Sequence, residues 1–252
     1  MDLGLRERVV LVTGATGGIG RAVARAYAAE GARVAVAYRS DRATAEQLAD
    51  ELGGPERAFA LPYDLEDPKS PQLAVAEVEQ RWGRLDVLVA NAVRWGERRI
   101  PGTRFEDVPE PDWLPVIDGN LAPTVRTVQA AVGGMRARGW GRIVLISSHN
   151  ALGGNRGQEF YGAAKAGLHG LTRSLMWDLT GTDVLVNVVC PGLTTTERVA
   201  AGLPAPVRER ETAATPSGRL SSPEEVARAV LYLGSAANGN VTGEALAVAG
   251  GR

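Results

Sequence analysis

Cysteine occurs once in this 252-residue chain, at Cys190, and lysine only twice, at Lys69 and Lys165. One thiol rules out an internal disulfide, so a reducing compartment is the expected home. Neither sign of charge is in excess: 28 basic residues face 29 acidic ones, for a formal net charge of -1 and a pI near 6.2. That balance gives no electrostatic basis for holding nucleic acid or an anionic membrane surface. The apolar runs are too short to span a bilayer, and Met1 to Arg8 interleaves acids with bases where a signal peptide would be apolar. These absences predict a cytoplasmic protein without nucleic-acid, membrane or metal partners, whose ligand is small or carried by a protein.

What is present is alternation. Strand-like apolar runs recur at 9–12, 34–37, 58–61, 87–90, 143–146, 184–189 and 245–248. Between most of them lie Ala-rich stretches of helical period, at 21–30, 43–52, 72–82, 124–138 and 160–179. Parallel strands joined by crossover helices give a three-layer, doubly wound α/β fold of Rossmann type, with a mostly or wholly parallel seven-stranded sheet and ligands at the strands' carboxyl ends. With 44% hydrophobic residues and no low-complexity linker, residues 1–252 read as one domain. Two irregular stretches, 94–111 and 194–222, are rich in Pro, Gly and Arg and read as loops rimming the site.

Tyr161 and Lys165 stand four apart and would share a helix face, where a cation beside a phenol favours its ionised form. In Val9 to Arg21, a strand runs into the glycine turn Gly14-Ala-Thr16-Gly17-Gly18-Ile19-Gly20 and then a helix. Glycines admit a pyrophosphate close to the backbone, and the helix start offers free N–H groups. The second strand ends in Tyr38-Arg39-Ser40, without the carboxylate that a free ribose 2′-OH prefers. Arg39 offers a planar cation to a 2′-phosphate, so NADP(H) is favoured over NAD(H). Asp41 just beyond counts against it.

Together these motifs resemble the short-chain dehydrogenase/reductase family over nearly the whole chain. Asp64 and Leu65 are similar to its adenine-side residues, Asn91 and Ala92 to its Asn-Asn-Ala-Gly turn, and Asn120 to its helix-interior Asn. Ser148 precedes Tyr161 by the family's interval, and Pro191-Gly192 with Thr194 and Thr196 resembles its cofactor-closing turn. The resemblance implies carbonyl reduction: Tyr161 gives the proton, Lys165 lowers its pKa and holds the nicotinamide ribose, Ser148 bonds the substrate oxygen, and Asn120 holds a water leading to Lys165. It also implies a homotetramer assembled through the fourth and fifth helices and the last strand. Departures are Val93 for the turn's glycine, Gly17 for its basic residue, and Ala249-Gly250-Gly251 for Asp-Gly-Gly.

Several segments look most like 3-oxoacyl-carrier-protein reductases, which implies an NADPH-dependent reductase of 3-oxoacyl or polyketide thioesters. An NAD(P)-dependent dehydrogenase of a free sugar, alcohol or steroid shares much of the pattern, and a cofactor-binding scaffold without turnover is a third reading. Trp95, Arg94 and His149 are further candidates for the pocket. Arg136, Arg138 and Arg142 surround the turn before the fifth strand and read either as a group that would attract an acidic carrier protein or, with at least equal weight, as a solvated basic rim.

Overall fold

A computed structural model describes residues 2–252. Seven strands form one sheet: β1 Val9–Val12, β2 Arg33–Tyr38, β3 Ala58–Pro62, β4 Val87–Ala90, β5 Gly141–Ile146, β6 Val184–Pro191 and β7 Ala245–Val248. Their order is β3-β2-β1-β4-β5-β6-β7 and every pairing is parallel, as the sequence predicts. Strand order reverses between β1 and β4, which opens a crevice at their carboxyl ends.

Side chains alternate across the sheet, so Val9 and Leu11 join one apolar layer while Val10 and Val12 join the other. The first layer is filled from helices α3 (Ser70–Trp82), α4 (Glu110–Arg138) and α6 (Glu159–Asp178). The second is filled from α1 (Gly18–Ala29), α2 (Arg42–Glu51) and α9 (Pro223–Leu233). Helix α9 opens with a reciprocal cap, in which Ser222 accepts from the Glu225 N–H and Glu225 accepts from the Ser222 N–H.

Three expectations need correction. Helix α4 starts at Glu110 rather than at residue 124 and runs through Pro115 and Pro123. Packing against α3 and α6 outweighs those breakers, and Asn120 Nδ2 and Thr127 Oγ1 bond carbonyls one turn back. The stretch 194–222 is not wholly irregular: it holds α7 (Glu197–Gly202) and α8 (Ala205–Ala213), while a single turn, α5 (Asn150–Gly153), follows β5. Lastly, the three arginines are no basic rim. Arg142 is buried and donates to the carbonyls of Gly141, Asp183, Ser235 and Asn238, Arg136 pairs with Asp178, and Arg138 binds Glu79 and the Leu85 carbonyl.

Candidate active site

At the β1 end the glycine turn is fixed by backbone geometry. Gly14 has φ 63, and a Cβ there would come within 2.9 Å of Ala92 Cα. A Cβ on Gly20 would lie 2.3 Å from the Gly14 carbonyl oxygen. Only glycine fits either place. Thr16 and Ile19 are part-buried along this turn, which delivers the start of α1, at Gly18, to the crevice.

β4 is stitched to β1 by Thr13, which heads the glycine-turn motif but is given no role of its own by it. The Thr13 hydroxyl accepts the N–H groups of Asn91 and Ala92, each at 2.9 Å, while Asn91 Nδ2 donates to the Thr13 and Gly14 carbonyls. Val93 is therefore accommodated, because Asn91 and Thr13 hold the turn that the missing glycine would have formed.

On the far side of the turn Arg39 and Ser40 are exposed at the end of β2. Asp41 is engaged elsewhere: its carboxylate caps α2 by accepting from the Thr44 N–H and hydroxyl, which hold its pKa below the usual value. Arg42 is paired with Glu46, so Arg39 is the cation at this edge without an ion pair among the described residues. Asp64 and Leu65 follow β3, with the Asp64 N–H donating to the Ser70 hydroxyl and Leu65 resting on the core.

Tyr161, Lys165 and Ser148 lie where β5 meets α6. The Lys165 ammonium is buried, donates to the Ile146 carbonyl at 3.0 Å, and sits 5.8 Å from the Tyr161 ring centroid. Two residues beyond Ile146, the Ser148 hydroxyl accepts the Asn150 N–H at 3.2 Å, so its own proton is free to donate. It also lies near enough to the Tyr161 phenol to favour its ionisation. Burial outweighs that influence and pushes Tyr161 up to about 12, while burial also pulls Lys165 down to about 8. Without substrate or cofactor the phenol therefore holds its proton firmly.

Behind Lys165 lies a cluster that the sequence reading did not single out. Ser147 Oγ donates to the Lys165 carbonyl at 3.0 Å and lies 2.9 Å from His169 Nε2, which in turn is 3.6 Å from Cys190 Sγ. Burial raises the Cys190 thiol to about 11, which makes it inert, in keeping with its placement at the end of an apolar run. His169 lies one helical turn after Lys165, which is the spacing that could have flagged it.

Asn120 is buried in α4, with Nδ2 donating to the Arg94 and Val116 carbonyls and Oδ1 accepting the Arg94 N–H. It thus pins the start of the 94–111 loop. Five residues farther on Arg99 pairs with Glu159, whose carboxyl the guanidinium holds down at about 2, and the Arg99 N–H donates to the Gly157 carbonyl. Phe160 stacks between Phe105 and Trp113, and Trp95 lies over Tyr161. His149 is part-buried at the start of α5, its N–H donating to the Pro191 carbonyl.

The second loop is drawn across the cleft. The Gly192 N–H donates to the Val248 carbonyl, Thr194 bridges to Ser221, and Thr196 caps α7 while its side chain abuts Gly18. Glu197 is 3.3 Å from Arg21 on α1. These contacts bring the 192–197 segment against the start of α1 and the end of β7.

Comparison with known proteins agrees with this arrangement. A family model described as "Enoyl-(Acyl carrier protein) reductase" matches residues 14–252. The chain is 38% identical over 246 residues to an acetoacetyl-CoA reductase of Rhizobium meliloti (strain 1021), covering 98% of each protein. It is 37% identical to the 3-oxoacyl-[acyl-carrier-protein] reductase FabG of Aquifex aeolicus (strain VF5), over 100% of this chain and 99% of the relative. To the FabG of Escherichia coli (strain K12) it is 35% identical, over 97% and 96%.

Proposed function

The chain belongs to the short-chain dehydrogenase/reductase family of oxidoreductases, and from that premise we propose that it uses NADPH to reduce the ketone of a 3-oxoacyl thioester to an alcohol. The observation that carries this reading is the meeting of the Tyr161 phenol, the Lys165 ammonium and the Ser148 hydroxyl at one edge of the crevice.

The fit to a pyridine nucleotide rests on this chain's own residues. Glycines at 14 and 20 leave the backbone bare where a pyrophosphate must approach, and Gly18 opens a helix. Asn91, Ala92, Asp64 and Leu65 border the path towards the adenine, while Pro191, Gly192, Thr194 and Thr196 border the nicotinamide end. The free Arg39 supports a 2′-phosphate, and Asp41, though ionised, directs its carboxylate to the start of α2, which weakens the objection that sequence alone raised. When bound, the nicotinamide supplies the hydride.

The protein's part is to hold the carbonyl and deliver a proton. Ser148, with one lone pair accepting the Asn150 N–H and its proton unused by that bond, donates to the substrate oxygen. Tyr161 donates its proton to the same oxygen as charge develops there. Lys165 stabilises the phenolate left behind and has donors beyond its bond to Ile146 for a ribose hydroxyl. Asn120 has one lone pair of Oδ1 left for a water on the way to Lys165.

Lys165 also sets a pH dependence. A base whose pKa is lowered loses its proton as pH rises through the new value, and a neutral amine no longer supports the phenolate. kcat/KM with NADPH varied, which reports the free enzyme, is expected to be level below about pH 8 and to fall above it. A profile level to pH 10 would remove Lys165 from this role.

Steady-state turnover of an acetoacetyl thioester against a panel of free sugars, alcohols and steroids tests the substrate class; failure on every 3-oxothioester would overturn it. Arg39→Ala is expected to weaken NADPH binding by about tenfold or more while changing NADH binding little, as read by titration. Equal effects on both would remove the phosphate assignment.

The working unit in this reading is a single catalytic domain, 1–252, assembled as a homotetramer in the cytoplasm. Exposed apolar surface supports the assembly: Ile117, Leu121 and Val125 line an outward groove on α4, and Trp177 at the end of α6 and Leu246 on β7 are exposed. No helix among the described residues is long and apolar enough to cross a membrane.

A further inference from the structure

The proton transfer uses the hydroxyl edge of Tyr161, yet a face of its ring is covered as well. Trp95 stacks on it with centroids 5.9 Å apart and planes 20° from parallel. The indole also carries the Arg198 guanidinium, 4.7 Å from the ring centroid. Trp95 is 56% exposed, so burial does not hold it there; its contacts with Tyr161 and Arg198 do.

The neighbours of this stack are fixed. Asn120 bonds both the N–H and the carbonyl of Arg94, immediately before Trp95. Gly96, immediately after, is packed so closely that a Cβ there would come within 2.6 Å of Val116 Cγ2. Arg99 ties the loop to Gly157 and Glu159, just before Tyr161. On the opposite side, Glu197 beside Arg198 is bonded to Arg21.

We propose that Trp95, clamped by Arg198, is the size filter of the acyl pocket, admitting slim unbranched 3-oxoacyl groups and excluding an aryl ring beside the reacting carbonyl. The proposal rests on the thioester-reductase reading above. A flat group entering between two stacked rings needs them on the order of 9 Å apart, twice the shortest stacking separation. The 5.9 Å between Trp95 and Tyr161 refuses it. An unbranched chain needs no such opening, because it can pass the edge of the indole. Arg198 keeps the indole from swinging out, so this residue sets the filter's stiffness without touching the substrate.

The test is the ratio of kcat/KM for acetoacetyl thioester to that for 3-oxo-3-phenylpropionyl thioester, measured on the full chain with NADPH, with the matching ethyl esters in parallel. The wild type should favour the acetoacetyl compound by about tenfold or more, the discrimination that one misplaced apolar group is worth. Trp95→Ala should bring the ratio down about tenfold through a gain on the phenyl substrate, with Trp95→Phe falling between. Arg198→Ala should shift it a few-fold the same way, roughly what a lost cation–π contact permits. A ratio unchanged in Trp95→Ala and Trp95→Phe overturns the proposal, as does a wild-type preference for the phenyl compound. Turnover of the esters but of neither thioester would remove the thioester reading and leave the ester ratio to judge Trp95. If nothing is reduced, both fall.

Discussion

Tyr161→Phe is expected to lower kcat for reduction of an acetoacetyl thioester by about 10³-fold, within the range that positioned proton donors supply, while Tm and NADPH affinity stay near wild type. The substitution deletes one hydroxyl. The ring remains, with its stack on Trp95, and the Lys165 ammonium keeps its bond to the Ile146 carbonyl. What is lost is the group that burial keeps protonated, up to about 12, and that the Ser148 hydroxyl and, in the proposed mechanism, the ammonium help to ionise. Reduction needs both properties: a proton present at the start and a base stabilised at the end. Stopped-flow measurement of NADPH oxidation separates the chemical step from product release. A variant with wild-type kcat would mean that the proton comes from elsewhere, and the assignment of Tyr161 would be withdrawn.

The strands were legible because buried parallel strands are continuous apolar runs, and all seven lie within two residues of the positions read from the sequence. The chemistry was legible where it depends on spacing along one element, as for Tyr161 and Lys165, or on a turn that only glycine can make. It was illegible where partners come from separate elements. The Ser147 and His169 contacts behind Lys165 join β5 to α6, and Thr13 joins β1 to the turn after β4. No periodicity encodes such pairs. Likewise, composition marks 194–222 as irregular, yet short helices form there because Thr196 caps the first and Glu197 is held by Arg21. Asp41 is the instructive case: in sequence it opposes a phosphate site, and in three dimensions its charge is spent on the start of α2.

Arg142 shows the same limit with the largest stability effect expected in the molecule. In sequence it belongs with Arg136 and Arg138 as a surface feature, either a solvated basic rim or a group that would attract an acidic carrier. In the fold its side chain is 2% exposed, its guanidinium lies 4.5 Å from the Trp140 ring centroid, and its N–H groups serve four carbonyls from three segments. Arg142→Met keeps much of the volume and removes every donor. An acceptor left unpaired in the interior costs about 1–3 kcal/mol, and some of the four regain water where Asp183 is exposed, so a loss of about 4 kcal/mol is expected. For a chain of this length that lowers Tm by about 10 °C. Arg136→Ala, which removes an exposed pair with Asp178, should change stability by less than about 1 kcal/mol. The measurement is thermal melting of both variants beside KM for a carrier-bound 3-oxoacyl substrate. A Tm within a degree or two of wild type for Arg142→Met, together with a raised KM for that substrate alone, would return Arg142 to a docking role. A large fall in Tm with KM unchanged fits a guanidinium that ties the amino end of β5 to the segment after α9, on the side of the sheet away from the catalytic crevice.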